Sequence, residues 1–185
     1  MSRTRVAILG STGSIGRQAL DVAARFPERI EIVALAAHAS VDLLLEQARA
    51  TGATRLALGD PAAAQLARTR TGIPVSAGPS ALVDIAGSGE ADIVLNALVG
   101  AAGLRASIAT LESGATLALA NKESLVAGGD IIAALGMDRV VPVDSEHSAI
   151  FQCLLGEPAE AVSRLWLTAS GGPFRGRTTE ELAGV

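Results

Sequence analysis

Short apolar runs alternate along this chain with segments whose apolar residues recur at helical spacing. The short runs predict strands at 6–9, 30–36, 55–58, near 75, and at 93–97, 116–120 and 140–143. The helical patterns cover 15–26, 41–49, 61–70, 80–85 and 103–112, and a further helix begins near 123. Strands that are apolar on both faces belong in a parallel sheet covered by helices. We therefore predict an α/β fold, a Rossmann-like doubly wound parallel sheet.

The pattern changes after Asp144. It predicts a helix at 148–155, a strand at 164–168, a tight loop at 170–173 and a helix that starts near 179, and it places Cys153 and Trp166 in a core. We expect a dinucleotide-binding domain at 1–146 and the beginning of an α+β catalytic domain at 147–185. Because the last helix has barely begun where the sequence stops, we expect this second domain to be cut short.

Composition and charge exclude several classes of protein. Hydrophobic residues make up 49% of the chain and charged residues 18%, which excludes an intrinsically disordered protein. A net charge of −4 and a pI near 5.2 argue against a general nucleic-acid binder. One cysteine excludes an internal disulfide and a cysteine-only zinc site. Neither a signal-peptide core nor an apolar run of ~20 residues is present, so we expect a cytoplasmic protein without membrane partners.

A glycine-rich turn, GSTGSIG at 10–16, lies directly between the first predicted strand and the first predicted helix. Glycines let a backbone approach a pyrophosphate closely, and a helix N-terminus offers N–H groups and the positive end of its dipole. The hydroxyls of Ser11, Thr12 and Ser14 are further candidate donors. The turn predicts a dinucleotide site, and a tight turn without a ligand is the alternative.

The exit of the second predicted strand bears on which dinucleotide binds. Sites for NAD commonly place a carboxylate there for the ribose 2′-hydroxyl, whereas this chain reads Ala-Ala-His-Ala-Ser at 36–40. NADP is therefore favoured over NAD. His38 and Ser40 are candidate donors to a 2′-phosphate, with an ordinary polar loop as the alternative.

Two carboxylates, Asp144 and Glu146, follow the last predicted strand at positions i and i+2. On extended backbone they would point the same way, with Cα atoms about 6.5–7 Å apart. Oxygen ligands of this kind suit Mg²⁺ or Mn²⁺. The alternative is a helix cap, in which Asp144 or Ser145 caps and Glu146 interacts with the helix dipole.

Two further groups are candidates for binding phosphate. Lys122 follows the preceding strand, where its ammonium group suits a phosphate or an oxyanion, although a solvated charge at a helix start is the alternative. Ser170, Gly171 and Gly172 offer a hydroxyl and permissive backbone N–H groups, with a simple turn as the alternative.

Four segments together resemble the 1-deoxy-D-xylulose 5-phosphate reductoisomerase family. They are GSTGSIG at 10–16, ALANKES at 118–124, PVDSEHS at 142–148 and LTASGGPFR at 167–175. The resemblance spans the whole chain, which covers about the N-terminal half of the family's pattern. It implies an enzyme of non-mevalonate isoprenoid biosynthesis that uses NADPH and a divalent cation, and a homodimer when full length. The implied reaction converts the phosphosugar 1-deoxy-D-xylulose 5-phosphate to 2-C-methyl-D-erythritol 4-phosphate.

The resemblance also implies roles for individual residues. Cofactor contacts fall on Thr12, Gly13, Ser14, Ile15, His38, Ala39, Ser40, Asn121 and Glu123. Metal ligands fall on Asp144 and Glu146, and substrate contacts on Lys122, Ser145, Glu146 and Ser170. Lys122 and Glu146 are the implied catalytic residues: the cation acts as a Lewis acid during the skeletal rearrangement, Lys122 offsets negative charge, and NADPH reduces the resulting aldehyde.

Two other hypotheses stay open on the sequence alone. A different NADP-dependent oxidoreductase, such as a semialdehyde dehydrogenase, would need a catalytic cysteine at a strand–helix junction, whereas Cys153 falls within a predicted helix. A non-catalytic nucleotide-binding module would bind NADPH without a metal. Because the family's third carboxylate ligand lies beyond these residues, we expect the 185 residues alone to turn over little or no substrate.

Overall fold

The computed structural model describes residues 2–100, 102–166, 168 and 172–184. The chain divides into two compact units. The sheet unit extends up to Val143, and the helical unit begins at Asp144. The domain boundary expected from the sequence at 146/147 stays a prediction.

The sheet unit is built on seven parallel strands in the order β4-β3-β2-β1-β5-β6-β7. The strands are β1 Thr4–Leu9, β2 Ile30–Ala37, β3 Arg55–Leu58, β4 Val75–Ala77, β5 Ile93–Asn96, β6 Thr116–Leu119 and β7 Val140–Pro142. The predicted doubly wound parallel sheet is confirmed. The strand order reverses between β1 and β5, so their carboxyl ends flank the crevice in which such folds bind ligands.

Helices connect successive strands and cover both faces of the sheet. They are α1 Ser14–Arg25, α2 Val41–Thr51, α3 Pro61–Arg68, α4 Pro79–Ala86, α5 Ala102–Glu112 and α6 Lys122–Gly136. The predicted cap of α3 is confirmed, since the Asp60 carboxylate accepts a hydrogen bond of 2.7 Å from the Ala63 N–H and Pro61 follows.

The two faces of the sheet have different cores, because successive side chains of a strand point to opposite sides. On one face, Ile8 and Leu35 pack with Leu44 of α2. On the other face, nine of the thirteen buried residues of the cluster are alanine, among them Ala36 and Ala106. Alanine side chains let α4 and α5 approach the sheet closely. Among the described residues, the first cluster has sixteen buried members and the second has thirteen, and none of them is aromatic.

The helical unit contains α7 Ser145–Leu154 and α8 Thr179–Leu182, with short 3-10 turns at Ala159–Ala161 and Gly172–Phe174. The predicted strand at 164–168 is wrong for the residues that are described there, 164–166 and 168, which are irregular. A strand needs a hydrogen-bonded neighbour, and the described part of this unit holds no second strand.

The predicted core positions of Cys153 and Trp166 are also wrong. Cys153 is exposed, and 78% of Trp166 is exposed, with its ring centroid 5.5 Å from the Arg164 guanidinium carbon. No buried hydrophobic residue of the described chain lies beyond Val140, so the described part of the helical unit has no core for these side chains to join. Separately, no helix in the described residues has the length and apolar character needed to cross a bilayer.

The start of β5 is tied to β1 by a carboxylate, Asp92. The Arg5 backbone N–H and guanidinium donate hydrogen bonds of 2.8 and 2.7 Å to its two oxygens. The guanidinium bond, reinforced by the backbone N–H, holds the pKa of Asp92 below its ordinary value. A lowered folded-state pKa contributes stability that is complete above the unfolded value of about 3.9 and is lost as the pH falls through the folded value.

We therefore expect Asp92→Asn to flatten the fall in unfolding free energy below about pH 4. The expected difference is small, because both side chains are 45% exposed and screened by solvent. Urea unfolding at neutral pH and at several acidic pH values measures it. Asp84→Asn is the control, since Asp84 is exposed and makes no ion pair with the described residues. An identical acid dependence in both variants would contradict the expectation.

Candidate active site

The glycine-rich turn lies where the strand order reverses. The N–H groups of Gly10 and Ser11 donate to the Ala36 carbonyl at 2.8 and 2.9 Å, which holds the turn against the exit of β2. Gly10 has φ +83, and a Cβ there would lie 2.6 Å from the Ala97 carbonyl oxygen at the exit of β5. Only glycine satisfies both conditions, so the chain leaves β1 in close contact with β5.

Helix α1 begins immediately after this turn. Gly13 is its N-cap residue and supplies no side-chain cap, and a Cβ on Gly16 would overlap the Gly10 oxygen and Ser11 Cα. Gly13, Ser14 and Ile15 are exposed, and Thr12 is half-buried. The predicted contact residues 12–15 thus form an uncapped helix N-terminus at the edge of the crevice, which suits a pyrophosphate.

Ser11 departs from its predicted role as a ligand donor. Its hydroxyl is buried and donates to Gln47 Oε1 at 2.8 Å, while Gln47 Nε2 donates to the Ser11 carbonyl at 2.9 Å. The hydroxyl therefore binds the protein, and the prediction for Ser11 is wrong. The sequence analysis did not identify Gln47 as a partner of this turn. One signal for its burial was available: Gln47 lies three positions after the inward-facing Leu44, on the buried face of α2.

The exit of β2 presents His38, Ala39 and Ser40, and all three are exposed. The His38 ring packs over Gly59, where an added Cβ would lie 2.9 Å from Nδ1. The His38 carbonyl also accepts a hydrogen bond of 2.9 Å from the Asp60 N–H. The loop is held by β3, and its imidazole and the Ser40 hydroxyl lie at the same sheet edge as the glycine turn.

The exit of β6 carries Asn121, Lys122 and Glu123. Lys122 and Glu123 are exposed in the first turn of α6, whereas Asn121 is 1% exposed. The Asn121 side chain accepts a hydrogen bond from the Ser124 N–H and donates to the Leu98 and Gly100 carbonyls. Its amide is thus committed to the protein, so any contact with a cofactor has to come from its backbone or its neighbours.

Asp144 and Glu146 lie in the first turn of α7. Asp144 is the N-cap residue: its Oδ1 accepts a hydrogen bond of 3.4 Å from the His147 N–H and lies 3.6 Å from His147 Nδ1. Glu146 Oε2 accepts a hydrogen bond of 3.0 Å from the Ser145 hydroxyl. Both carboxylates are half-buried.

The predicted extended geometry of this pair is wrong. Strand β7 ends at Pro142, and the helix begins at Ser145 because the Asp144 carboxylate satisfies a first-turn N–H group. The local backbone therefore follows the capping alternative, although both carboxylates still belong to a single helical turn.

The donor set of this turn fits a hard divalent cation. Mg²⁺ is commonly held by one or two carboxylates and keeps waters or substrate oxygens in its other positions. Within the described residues, no group of three or more histidine, cysteine, aspartate or glutamate side chains could hold a metal. Asp144 and Glu146 therefore stay a predicted pair of ligands. Ser170, the other predicted phosphate contact, lies outside the described residues.

Comparisons with known proteins agree on one family. Residues 6–129 match the model described as 1-deoxy-D-xylulose 5-phosphate reductoisomerase, and residues 140–185 match the model of its C-terminal domain. The reductoisomerase of Rhodococcus jostii is 57% identical over 98% of this chain and 46% of its own length. That of Mycobacterium avium is 56% identical over 99% of this chain and 44% of its own length.

Solved structures give the same result. The Zymomonas mobilis reductoisomerase in complex with NADPH is 39% identical, with a TM-score of 0.88 over 100% of this chain and 50% of that one. A reductoisomerase in complex with magnesium is 32% identical, with a TM-score of 0.86 over the same shares. The chain spans about half the length of the curated relatives and structures that it matches.

Proposed function

Because this chain belongs to the 1-deoxy-D-xylulose 5-phosphate reductoisomerase family, we propose that it binds NADPH and a divalent cation for that family's reaction. The proposed reaction is the isomerisation and reduction of 1-deoxy-D-xylulose 5-phosphate to 2-C-methyl-D-erythritol 4-phosphate. Isoprenoid biosynthesis by the non-mevalonate route is the proposed context. Assembly as a homodimer stays a prediction from the resemblance, and a cytoplasmic location stays a prediction from the sequence composition.

The observation that carries the proposal is the uncapped N-terminus of α1 at the reversal of strand order. Gly10 and Gly16 leave no room there for a Cβ, and the first-turn N–H groups of Ser14 and Ile15 are available to a pyrophosphate. The relatives' complexes with NADPH support the same ligand for this turn.

The 2′-phosphate of NADPH is assigned to the loop at 38–40. His38 and Ser40 are exposed there, and α2 begins at Val41 with its positive dipole end toward the loop. Neither residue carries a negative charge that would repel a phosphate. The loop therefore supports NADPH over NADH.

Most of the remaining roles belong to residues at the starts of α6 and α7. Lys122 and Glu123, in the first turn of α6, are assigned to substrate and cofactor. Ser145, in the first turn of α7, is assigned to substrate, and so is Ser170, which lies outside the described residues. Asp144 and Glu146 would hold the cation, and Glu146 would also contact substrate. When bound, the cation supplies Lewis-acid polarisation of substrate oxygens, and NADPH supplies the hydride. Lys122 would place a positive charge near oxygens that become negative.

We expect titration of the chain with each dinucleotide, followed by nicotinamide fluorescence, to give tighter binding of NADPH than of NADH. His38→Ala should weaken NADPH about tenfold, the effect of one hydrogen bond to a charged group, and leave NADH unchanged. Thr54→Ala, which removes an exposed hydroxyl on the sheet unit, is the control.

Two results would count against the proposal. Equal binding of both dinucleotides would contradict the assignment of the 2′-phosphate to this loop, and binding of neither would contradict the function as a whole. A separate assay measures turnover of 1-deoxy-D-xylulose 5-phosphate by this chain in the presence of NADPH and Mn²⁺. A rate equal to that of a full-length relative would refute our expectation that these residues alone turn over little or no substrate.

A further inference from the structure

Two buried asparagine amides hold the segment that follows β5. Asn121 Nδ2 donates to the carbonyls of Leu98 and Gly100 at 2.8 and 2.9 Å. Its Oδ1 accepts from the Ser124 N–H at 2.9 Å and also from the Ser124 hydroxyl. A single amide thus joins the exit loop of β5 to the first turn of α6, and all of its hydrogen-bonding capacity is used.

Asn96, the last residue of β5, holds the same segment from the other side and is completely buried. Its Nδ2 donates to the Gly103 carbonyl and the Ser107 hydroxyl, each at 2.8 Å. Its Oδ1 accepts from the Leu98 N–H at 3.2 Å. The backbone of Leu98 is therefore bound on both sides, by one asparagine at its N–H and by the other at its carbonyl.

This anchoring presents an apolar side chain to solvent. Val99, between the two carbonyls that Asn121 binds, is 89% exposed. Ordering a loop costs about 1–2 kcal/mol of backbone entropy per residue, and here no burial of Val99 offsets it. A surface of this kind suits a flat, uncharged ring.

The position of the loop in the fold indicates which ring of a dinucleotide would lie on it. In a doubly wound fold the pyrophosphate lies on the glycine turn, and the adenosine lies toward the exit of β2. The other half of the dinucleotide therefore extends across the crevice toward β5 and β6. The backbone of the turn already lies against Ala97, the first residue of this loop.

We propose that Asn121 and Asn96 are positioning residues that fix the segment 98–100 as the support of the nicotinamide ring, with Val99 as its apolar contact. The inference rests on the proposed function, because it takes NADPH as the ligand. Neither asparagine side chain contacts the cofactor. Asn121 also sets the start of α6, so the support and Lys122 move as one piece.

The test compares NADPH with adenosine 2′,5′-bisphosphate, which has the adenine, ribose and 2′-phosphate but no nicotinamide. Asn121→Ser retains a capping hydroxyl for α6 but is too short to reach the Leu98 and Gly100 carbonyls. We expect this variant to bind NADPH about tenfold more weakly, the effect of losing two hydrogen bonds, and the bisphosphate within twofold of wild type. Thr54→Ala, which removes an exposed hydroxyl just before β3, is the control and should change neither affinity.

Val99→Ser keeps the test decisive if Asn121→Ser does not fold, because Val99 is exposed. It too should weaken NADPH and spare the bisphosphate. Equal weakening of both ligands, or no change in either, overturns the inference while wild-type binding of NADPH upholds the proposed function. The inference is also overturned if the wild-type chain binds NADPH no more tightly than the bisphosphate. If the wild-type chain binds neither ligand, the proposed function itself is wrong.

Discussion

Gly16→Ala is expected to destabilise the sheet unit and to abolish NADPH binding. The new Cβ would overlap the Gly10 oxygen and Ser11 Cα, which are backbone atoms that cannot rotate away. Helix propensity alone favours alanine by about 1 kcal/mol, whereas overpacking of this kind costs about 1–3 kcal/mol. The collision therefore decides the sign, and relieving it moves α1 away from the turn that would hold the pyrophosphate. Urea unfolding and fluorescence titration with NADPH measure the two effects.

The matched control is Gly129→Ala, in α6. No atom lies within 4 Å of the Cβ that this change adds, and Gly129 begins the helical segment that follows a break of α6 at Gly128. We expect a gain of at most about 1 kcal/mol and unchanged NADPH binding. If Gly16→Ala behaved like Gly129→Ala, the close approach of α1 to the turn would not exist in solution.

Asp144→Asn is expected to weaken Mg²⁺ or Mn²⁺ binding at least tenfold, the lower range seen when even an outer-shell partner of a metal site is lost. Asparagine caps a helix about as well as aspartate, so α7 should keep its start while one ligand charge disappears. Replacing both Asp144 and Glu146 by their amides should remove detectable binding. Calorimetric titration of the metal in the presence of NADPH measures the affinity.

Glu157→Gln is the control for that titration, because Glu157 is an exposed carboxylate of the same unit outside the first turn of α7. Equal metal affinity in Asp144→Asn and wild type would exclude Asp144 as a ligand. A wild-type chain that binds NADPH but no metal would favour the non-catalytic nucleotide-binding module over the reductoisomerase.

The sheet unit could be predicted from the sequence because its information is local. Runs such as 6–9 are apolar on both faces, and the Asp60–Pro61 pair marks a helix start without any knowledge of the fold. The glycine turn is local too, since strand, turn and helix follow one another directly. These features need no distant partner in order to be read.

Features that depend on distant partners could not be predicted. Ser11 and Gln47 are 36 residues apart, and Asn121 binds a carbonyl 23 residues away, so neither pairing leaves a periodic signal. The predicted burial of Trp166 was wrong because an apolar side chain is buried only where other residues form a core around it, and the sequence pattern at 164–168 does not show whether they do. At Asp144 and Glu146 the spacing suits both a strand and a capped helix, and the structure has the capped helix.

The layer of alanines beneath α4 and α5 has a consequence for how this protein can change over time. A methyl group in a closely packed layer has no smaller apolar substitute except glycine, and any larger one forces the helices outward. Neutral drift should therefore be slow on that side of the sheet and faster on the side of α2 and α3, where leucine, isoleucine and valine can exchange volume with one another. Residues on the alanine side of the sheet should therefore stay similar between distant homologues for longer than residues on the other side, and they should be the better positions for detecting distant homologues.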